Sequence, residues 1–258
     1  GTTVSRATLH NQEEIERKDI RIGDTVLVEK AGEIIPSVVQ VVTAKRPATA
    51  QRYHLPTVLN HQCPSCHGPI EKADGFVAWR CVNFECPAQA VTSITHFAGR
   101  KALDLDGLGE SVAIKLVESK LASSPLDLFS LTTEDLANLL LDPAKSSDGL
   151  TKSKERRFGE KRATTLITSL KKARQEMPLS RWLFAMGISQ IGESSARELS
   201  RLHGKLTDLV GSSIVSDLAD LPNFEELQKS KRKKENHPRL QQYKIDDNLG
   251  PVAAQKLR

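Results

Sequence analysis

Four cysteines stand in two close pairs and are the residues of this chain best suited to binding a metal ion. They are Cys63, Cys66, Cys81 and Cys86, with two residues inside the first pair and four inside the second. Such tight turns point backbone amides at the thiolates, and two of them complete a tetrahedral shell of sulfur atoms. Because four sulfurs leave no open position for a substrate, the spacing predicts a structural Zn²⁺ site, not a catalytic one.

Two other chemistries remain open for the same cysteines. Two disulfides would need an oxidising compartment, whereas the sequence opens with no hydrophobic signal segment. The stretch CPSCH at 63–67 also has the form of a c-type haem attachment site, although haem would leave Cys81 and Cys86 without a role. His61 and His67 flank the first pair and could each replace a thiolate. A zinc site with four sulfur ligands is the prediction that uses every cysteine.

The residues before the cysteines have the patterns of short strands. Segments 25–30 and 34–42 are predicted strands, 31–33 is the turn between them, and 11–18 is a predicted short helix. Short strands around one helix are typical of a small OB-like barrel. Residues 48–62 are polar and predict a linker to the cysteine-containing module.

After Pro87 the pattern changes to helix and contains an internal repeat. Each copy has a glycine, then an amphipathic helix that carries alanine four residues after that glycine. The four copies are LDGLGESVA at 105–113, RFGEKRA at 157–163, SQIGESSA at 189–196 and NLGPVAA at 248–254. Such a glycine lets the backbone approach a DNA phosphate while the next helical turn donates its amides, without reading base identity. For any single copy, a plain helical hairpin is the alternative.

The copies are not identical. Only the first has glycine at both positions of the turn, Gly107 and Gly109. Other residues occupy the first position in the remaining copies: Arg157, Gln190 and Asn248. Two polar insertions, 142–157 and 223–243, interrupt the repeat, and the second contains the basic run KSKRKK at 229–234. We favour a solvated loop over a DNA contact for that run.

The composition favours several small modules and a polyanionic partner. Of the 258 residues, 38% are hydrophobic and 4% aromatic, which is lean for one large core. Lys and Arg outnumber Asp and Glu by 37 to 32, a net charge of +5 that suits a polyanion. No apolar run approaches the ~18 residues that cross a bilayer, so we expect no membrane partner. Because the sequence begins at Gly1, we expect it to belong to a longer protein.

Several motifs closely resemble those of bacterial NAD-dependent DNA ligases. They are VSRATLHN at 4–11, RIGDTV at 21–26, KAGEIIP at 30–36, CVNFECPAQ at 81–89, HF at 96–97 and ALDLDGLG at 102–109. The resemblance implies a multidomain α+β fold with a partial OB-fold β-barrel over 1–60, whose first strand is expected before Gly1. It also implies a small four-cysteine zinc finger over 61–90 and an all-α helix-hairpin-helix domain over 91–258.

The resemblance implies a clamp on nicked double-stranded DNA that serves the sealing of 5′-phosphate and 3′-hydroxyl ends in replication and repair. In that family a separate N-terminal nucleotidyltransferase domain uses NAD and Mg²⁺, and a lysine in a Lys-x-Asp-Gly motif carries the AMP. We expect that domain to act in cis or in trans, and this chain not to ligate alone. A cytoplasmic, nucleoid-associated location follows as an expectation.

The residues expected to contact DNA form two groups, and none is expected to be catalytic. In the OB segment they are Arg6, Thr8, Asn11 and Lys30. In the helical domain they are Gly107, Gly109, Gly159, Lys161, Gly192 and Gly250. The sequence KADG at 72–75 matches Lys-x-Asp-Gly, yet it lies between the second and third cysteines, where an Asp-Gly β-turn is the simpler interpretation.

A stand-alone, non-enzymatic DNA-binding scaffold is the alternative function, since the same modules would serve it. A nuclease subunit is a third hypothesis. The sequence does not support it, because no carboxylate cluster has the spacing of a metal-dependent nuclease.

Overall fold

The computed structural model describes residues 3–31, 35–142, 155–221, 238–245 and 249–258. The basic run at 229–234 and most of both insertions lie outside these residues. The chain divides into two compact units, Gly1–Ala88 and Gln89–Arg258. The domain boundaries expected at residues 60 and 90 stay predictions. Within the described ranges, no helix combines the length and the apolar character that crossing a membrane requires.

The first part of unit 1 is built from short strands and two small helices. In chain order these are α1 (Gln12–Arg17), β1 (Arg21–Ile22), β2 (Val26–Ala31), β3 (Ile35–Val41), β4 (Gln51–Arg52) and α2 (Leu55–Val58). Strand β2 pairs antiparallel with β3, and β1 pairs antiparallel with β4. The predicted helix and both predicted strands are therefore confirmed. Asn11 fixes the start of α1, because its side-chain oxygen accepts a hydrogen bond from the Glu14 amide at 2.9 Å.

An ion-pair network joins the strands of this segment where apolar packing is thin. The Arg46 guanidinium lies 2.8 Å from an Asp24 carboxylate oxygen and 2.5 Å from one of Asp19. The Asp24 side chain is only 1% exposed, so its charge depends on these partners. Several apolar side chains of β2 and β3, among them Leu27, Val28, Ile35 and Val39, are exposed.

Two further strands follow in unit 1, β5 (Ile70–Lys72) and β6 (Trp79–Cys81), paired antiparallel. The helix α3 (Pro87–Ala98) begins at the boundary between the units. Unit 2 then contains α4 (Glu110–Glu118), α5 (Thr133–Asn138), α6 (Glu160–Glu176), α7 (Leu179–Ala185), α8 (Glu193–Leu202), α9 (Ser213–Ala219), α10 (Pro238–Gln242) and α11 (Pro251–Gln255). Among the described residues of unit 2, the regular secondary structure is helical apart from one short antiparallel pairing of β7 (Leu140–Asp142) with β8 (Arg156–Arg157).

Two apolar clusters hold unit 2 together. The first is centred on Phe97, whose ring lies 6.1 Å from that of Phe129 and 5.9 Å from that of Trp182. The second includes the fully buried side chains of Leu199 and Leu218. The first two copies of the repeat pack in the first cluster and the last two in the second.

Candidate metal centre and nucleic-acid interface

The four cysteine sulfurs converge on one point of unit 1. All four Sγ atoms lie within 4.8 Å of one another. The distance is 3.9 Å between Cys63 and Cys86 and 3.5 Å between Cys66 and Cys81. Tetrahedral zinc with Zn–S bonds of about 2.3 Å separates its sulfurs by about 3.8 Å. The four thiols are free, so the disulfide alternative is wrong, and their spacing fits Zn²⁺.

The local backbone explains why the first pair converges. The Ser65 amide donates to Cys63 Sγ at 3.4 Å, as the predicted turn requires. A Cβ at Gly68 would lie 3.3 Å from Cys66 Sγ and 3.1 Å from the Cβ of Asn83. Glycine at 68 therefore lets the chain pass close to a metal ligand.

Hydrogen bonds at the first pair favour the charged form of Cys63 and Cys66. The Asn83 side chain lowers the pKa of the Cys66 thiol to about 6. The amides of Cys66 and Ser65 hold the pKa of the Cys63 thiol below its ordinary value. Since zinc binds thiolates, these hydrogen bonds prepare Cys63 and Cys66 for the metal.

The Lys-x-Asp-Gly match belongs to a surface turn. Lys72 ends β5 and its ammonium lies 3.0 Å from a carboxylate oxygen of Glu13. Gly75 has φ of +77° and no atom within 4 Å of an added Cβ. The motif is exposed throughout, as a β-turn between two strands should be.

The copies of the repeat share a buried framework. In each, the alanine four residues after the glycine is buried and donates its amide to that glycine's carbonyl at 2.9–3.2 Å. The residue before the glycine is also buried in every copy: Leu108, Phe158, Ile191 and Leu249. Sequence reasoning missed this apolar position, although an apolar residue immediately before the glycine of all four copies was its signal.

The glycines of the four copies differ in backbone conformation. Gly109, Gly192 and Gly250 precede their helices with φ of −98°, −83° and −102°, which any residue adopts. An added Cβ at these three would meet no atom within 4 Å. Gly159 instead has φ of +87°, a conformation that favours glycine. The residue two positions earlier, Arg157, lies in β8 and pairs with Leu140.

The backbone amides of these glycines also fall into two groups, those with an acceptor among the described residues and those without one. The Gly159 amide donates to the Ala137 carbonyl at 3.2 Å. Among the residues that the structure describes, the amides of Gly109 and Gly192 have no acceptor. They stand at the starts of α4 and α8, helices of nine and ten residues. A bare Cα beside such amides can receive an anionic oxygen.

The other candidate residues are placed as follows. Thr8 forms a parallel bridge with Ser37, and Lys30 pairs with Pro36, so Thr8 and Lys30 flank the start of β3. Arg6 and Lys30 are exposed. The side-chain oxygen of Asn11 is engaged in capping α1. Lys161 is exposed in the first turn of α6, and Gly107 has φ of +86° at the first position of its turn.

Comparisons with known proteins agree with this architecture. The model of the NAD-dependent DNA ligase OB-fold domain matches residues 1–50, and that of the NAD-dependent DNA ligase C4 zinc finger domain matches residues 62–88. A DNA ligase from Akkermansia muciniphila is 51% identical over 226 residues. Those residues are 88% of this chain and 27% of that ligase, so the chain spans about a quarter of its relative's length. The chain thus contains an OB-fold domain and a structural C4 zinc finger of the NAD-dependent DNA ligase type, and most of its length is similar to part of a DNA ligase.

Proposed function

We propose that this chain is the DNA-binding portion of an NAD-dependent DNA ligase and that it holds nicked duplex DNA for sealing. The chemistry belongs to a nucleotidyltransferase domain that uses NAD and Mg²⁺, supplied in cis or in trans. The chain itself supplies affinity and position. A cytoplasmic location at the nucleoid accords with this role.

The observation that carries the proposal is the pair of glycines Gly109 and Gly192. Neither backbone conformation nor packing within the described residues requires glycine at these positions. Their amides have no acceptor in that part of the chain. Because the fold does not require glycine at these positions, the lack of a side chain is best explained by a partner whose oxygen approaches the backbone closely. The phosphate backbone of DNA is such a partner, and the positive net charge suits it.

Contacts through amides do not depend on base sequence. The protein would therefore bind any nick, as sealing requires. Thr8 and Lys30 beside β3, with Arg6, are the residues through which the OB segment would add phosphate contacts. Asn11 would act chiefly through α1, whose start it fixes.

The direct test measures binding of nicked and intact duplexes by fluorescence anisotropy in low salt. Gly109→Asp places charge and bulk where the phosphate should lie, without straining the backbone. We expect affinity to fall at least about tenfold, since a hydrogen bond to a charged group contributes about 1.5–3 kcal/mol. Gly204→Asp, in an exposed turn of the same unit, is the control and should leave affinity nearly unchanged.

Two results would contradict the proposal at different points. Unchanged affinity in Gly109→Asp would remove the first hairpin from the interface. Failure of the wild-type chain to bind either duplex would reject the DNA-binding function. The ligase role is tested by adding a nucleotidyltransferase domain of the family with NAD and Mg²⁺. Nick sealing should then depend on the chain and be weakened by Gly109→Asp.

A further inference from the structure

A basic pocket lies in unit 2 between the turn that follows α3 and the helices α7 and α8. It is a cavity of about 290 Å³ whose charged lining residues are Arg100, Lys101, Arg181, Arg197 and Glu193. Four cations thus surround a single carboxylate. This cluster was not apparent from the sequence, because its members come from three separate segments.

Glu193 is the internal anion of the basic pocket. One carboxylate oxygen lies 3.2 Å from Lys101 Nζ, and the other accepts a hydrogen bond from the Arg197 guanidinium. The hydrogen bond from Lys101 and the nearby positive charges hold the pKa of Glu193 below its ordinary value. The carboxylate is therefore charged at neutral pH and neutralises part of the pocket.

Arg181 hydrogen-bonds to backbone carbonyls of the neighbouring turn, whereas Lys101 and Arg197 contact Glu193. Its Nε donates to the Ala102 carbonyl at 2.5 Å, and its terminal nitrogen donates to the Arg100 carbonyl. These bonds fix the turn that carries Arg100 and Lys101. The backbone that carries these two side chains is thereby fixed beside the pocket.

The ion pairs of Glu193 contribute little to folding. The side chains of Lys101 and Arg197 are 76% and 70% exposed, and that of Glu193 is 36% exposed. Exposed pairs of this kind typically contribute about 0.2–1 kcal/mol. Stability is thus a poor explanation for placing four cations around one cavity.

The equivalent residues of the other hairpins provide a comparison. Glu110 and Glu160 occupy the same position as Glu193, the first residue of the helix after the glycine. Both are exposed, and neither forms an ion pair within the described residues. The arrangement at Glu193 is specific to the third hairpin and is not a general feature of the repeat.

We propose that the basic pocket is a phosphate-binding site and that Glu193 occupies it in the absence of DNA. A backbone phosphate of the duplex replaces the carboxylate between Lys101 and Arg197 when the third hairpin binds. Glu193 therefore lowers affinity and holds the two cations in place. This inference rests on the proposed function, since it names a further contact of the same DNA-binding surface.

The test compares three variants of the full 258-residue chain that each remove one carboxylate at the same helical position. We expect Glu193→Gln to bind duplex DNA on the order of fivefold more tightly in low salt, because breaking exposed pairs releases two cations. The plot of log affinity against log salt should steepen by about 1, because the pocket gains one net positive charge while it contacts the same phosphate. Glu110→Gln and Glu160→Gln should change affinity less than about twofold. Equal effects of all three would overturn the proposal.

A second comparison shows whether the pocket cations mediate the effect. Lys101→Ala combined with Arg197→Ala should weaken binding, and adding Glu193→Gln to that background should produce no gain. A gain that persists without the two cations would overturn the proposal. Arg258→Ala, which removes a cation from the exposed pair with Asp220, controls for loss of positive charge.

Inorganic pyrophosphate distinguishes the source of the phosphate and separates this inference from the proposed function. Tighter binding of pyrophosphate but not of DNA by Glu193→Gln would assign the pocket to small anions and overturn the DNA contact. If the wild-type chain binds no DNA, the proposed function fails. Pyrophosphate binding that depends on Lys101 and Arg197 would then still support a phosphate site, and its absence would reject one.

Discussion

The two units of this chain are stabilised by different means. In unit 1 few apolar side chains are buried, among them Ile15, Val38 and Val41, and a cysteine cluster and an ion-pair network connect its short strands. Unit 2 buries two large apolar clusters. Cross-links of the first kind depend on metal and on proton concentration, whereas apolar packing does not. The two units should therefore fail under different conditions.

Removing zinc should destabilise the chain more than any other change considered below. Structural zinc can contribute on the order of 10 kcal/mol to folding, so a strong chelator, or Cys86→Ser, should unfold residues 62–88. Hydrogen exchange followed by mass spectrometry should show loss of protection there and little change in unit 2. Equal loss of protection in both units would show that zinc stabilises the whole chain and not unit 1 alone.

A smaller effect, confined to unit 2, is expected from Phe97→Ala. Phe97 is fully buried between aromatic rings, so its loss should cost about 3–5 kcal/mol in the free energy of unfolding. Phe84→Ala is the matched control, because Phe84 is 99% exposed. Denaturant unfolding gives the change, and zinc content should remain the same in both variants. A loss of zinc in Phe97→Ala would show that the units are not independent in this respect.

Acid should weaken unit 1 through its ion-pair network. Hydrogen bonds from Arg21 and then Arg46 lower the pKa of Asp19 from 3.8 to about 2. Because the folded-state pKa is the lower one, this stabilisation is present above about pH 4 and is lost as the pH falls towards 2. Asp19→Asn should therefore be less stable than wild type at pH 6, and the gap should close towards pH 2. Asp74→Asn, which removes an exposed carboxylate from the β5–β6 turn, is the control.

In unit 2, backbone conformation at the hairpin glycines should affect stability less than apolar packing does. Gly159→Ala should destabilise the chain by about 1–3 kcal/mol, since φ of +87° with ψ of 152° lies in a region that is essentially restricted to glycine. Gly109→Ala should be neutral or stabilise by about 0.4–1 kcal/mol. Thermal unfolding of the two variants measures the difference. Equal destabilisation would mean that Gly109 has a folding role that its extended conformation does not reveal.

The features that the sequence predicted correctly are local. The four cysteines converge because their spacing and chemistry suffice to define a zinc site, and α1 begins directly after Asn11 because asparagine is a good N-cap. The conformation of Gly159 was not predictable, because it depends on the pairing of Arg157 with Leu140 across a long insertion. The pair between Lys101 and Glu193 is also distant in sequence. An alignment of the four copies by residue type does not show such differences in backbone conformation and in long-range contacts.

The exposed groups at the starts of α4 and α8 are main-chain amides of Gly109 and Gly192. An alanine scan of surface charges would pass over them, because it removes side chains and leaves the peptide bond in place. A DNA-binding surface built on such groups would keep its affinity in an alanine scan, yet it would lose affinity when a side chain is added at either glycine. Such a surface would be detected by replacing each glycine with residues of increasing size and measuring DNA binding by each variant.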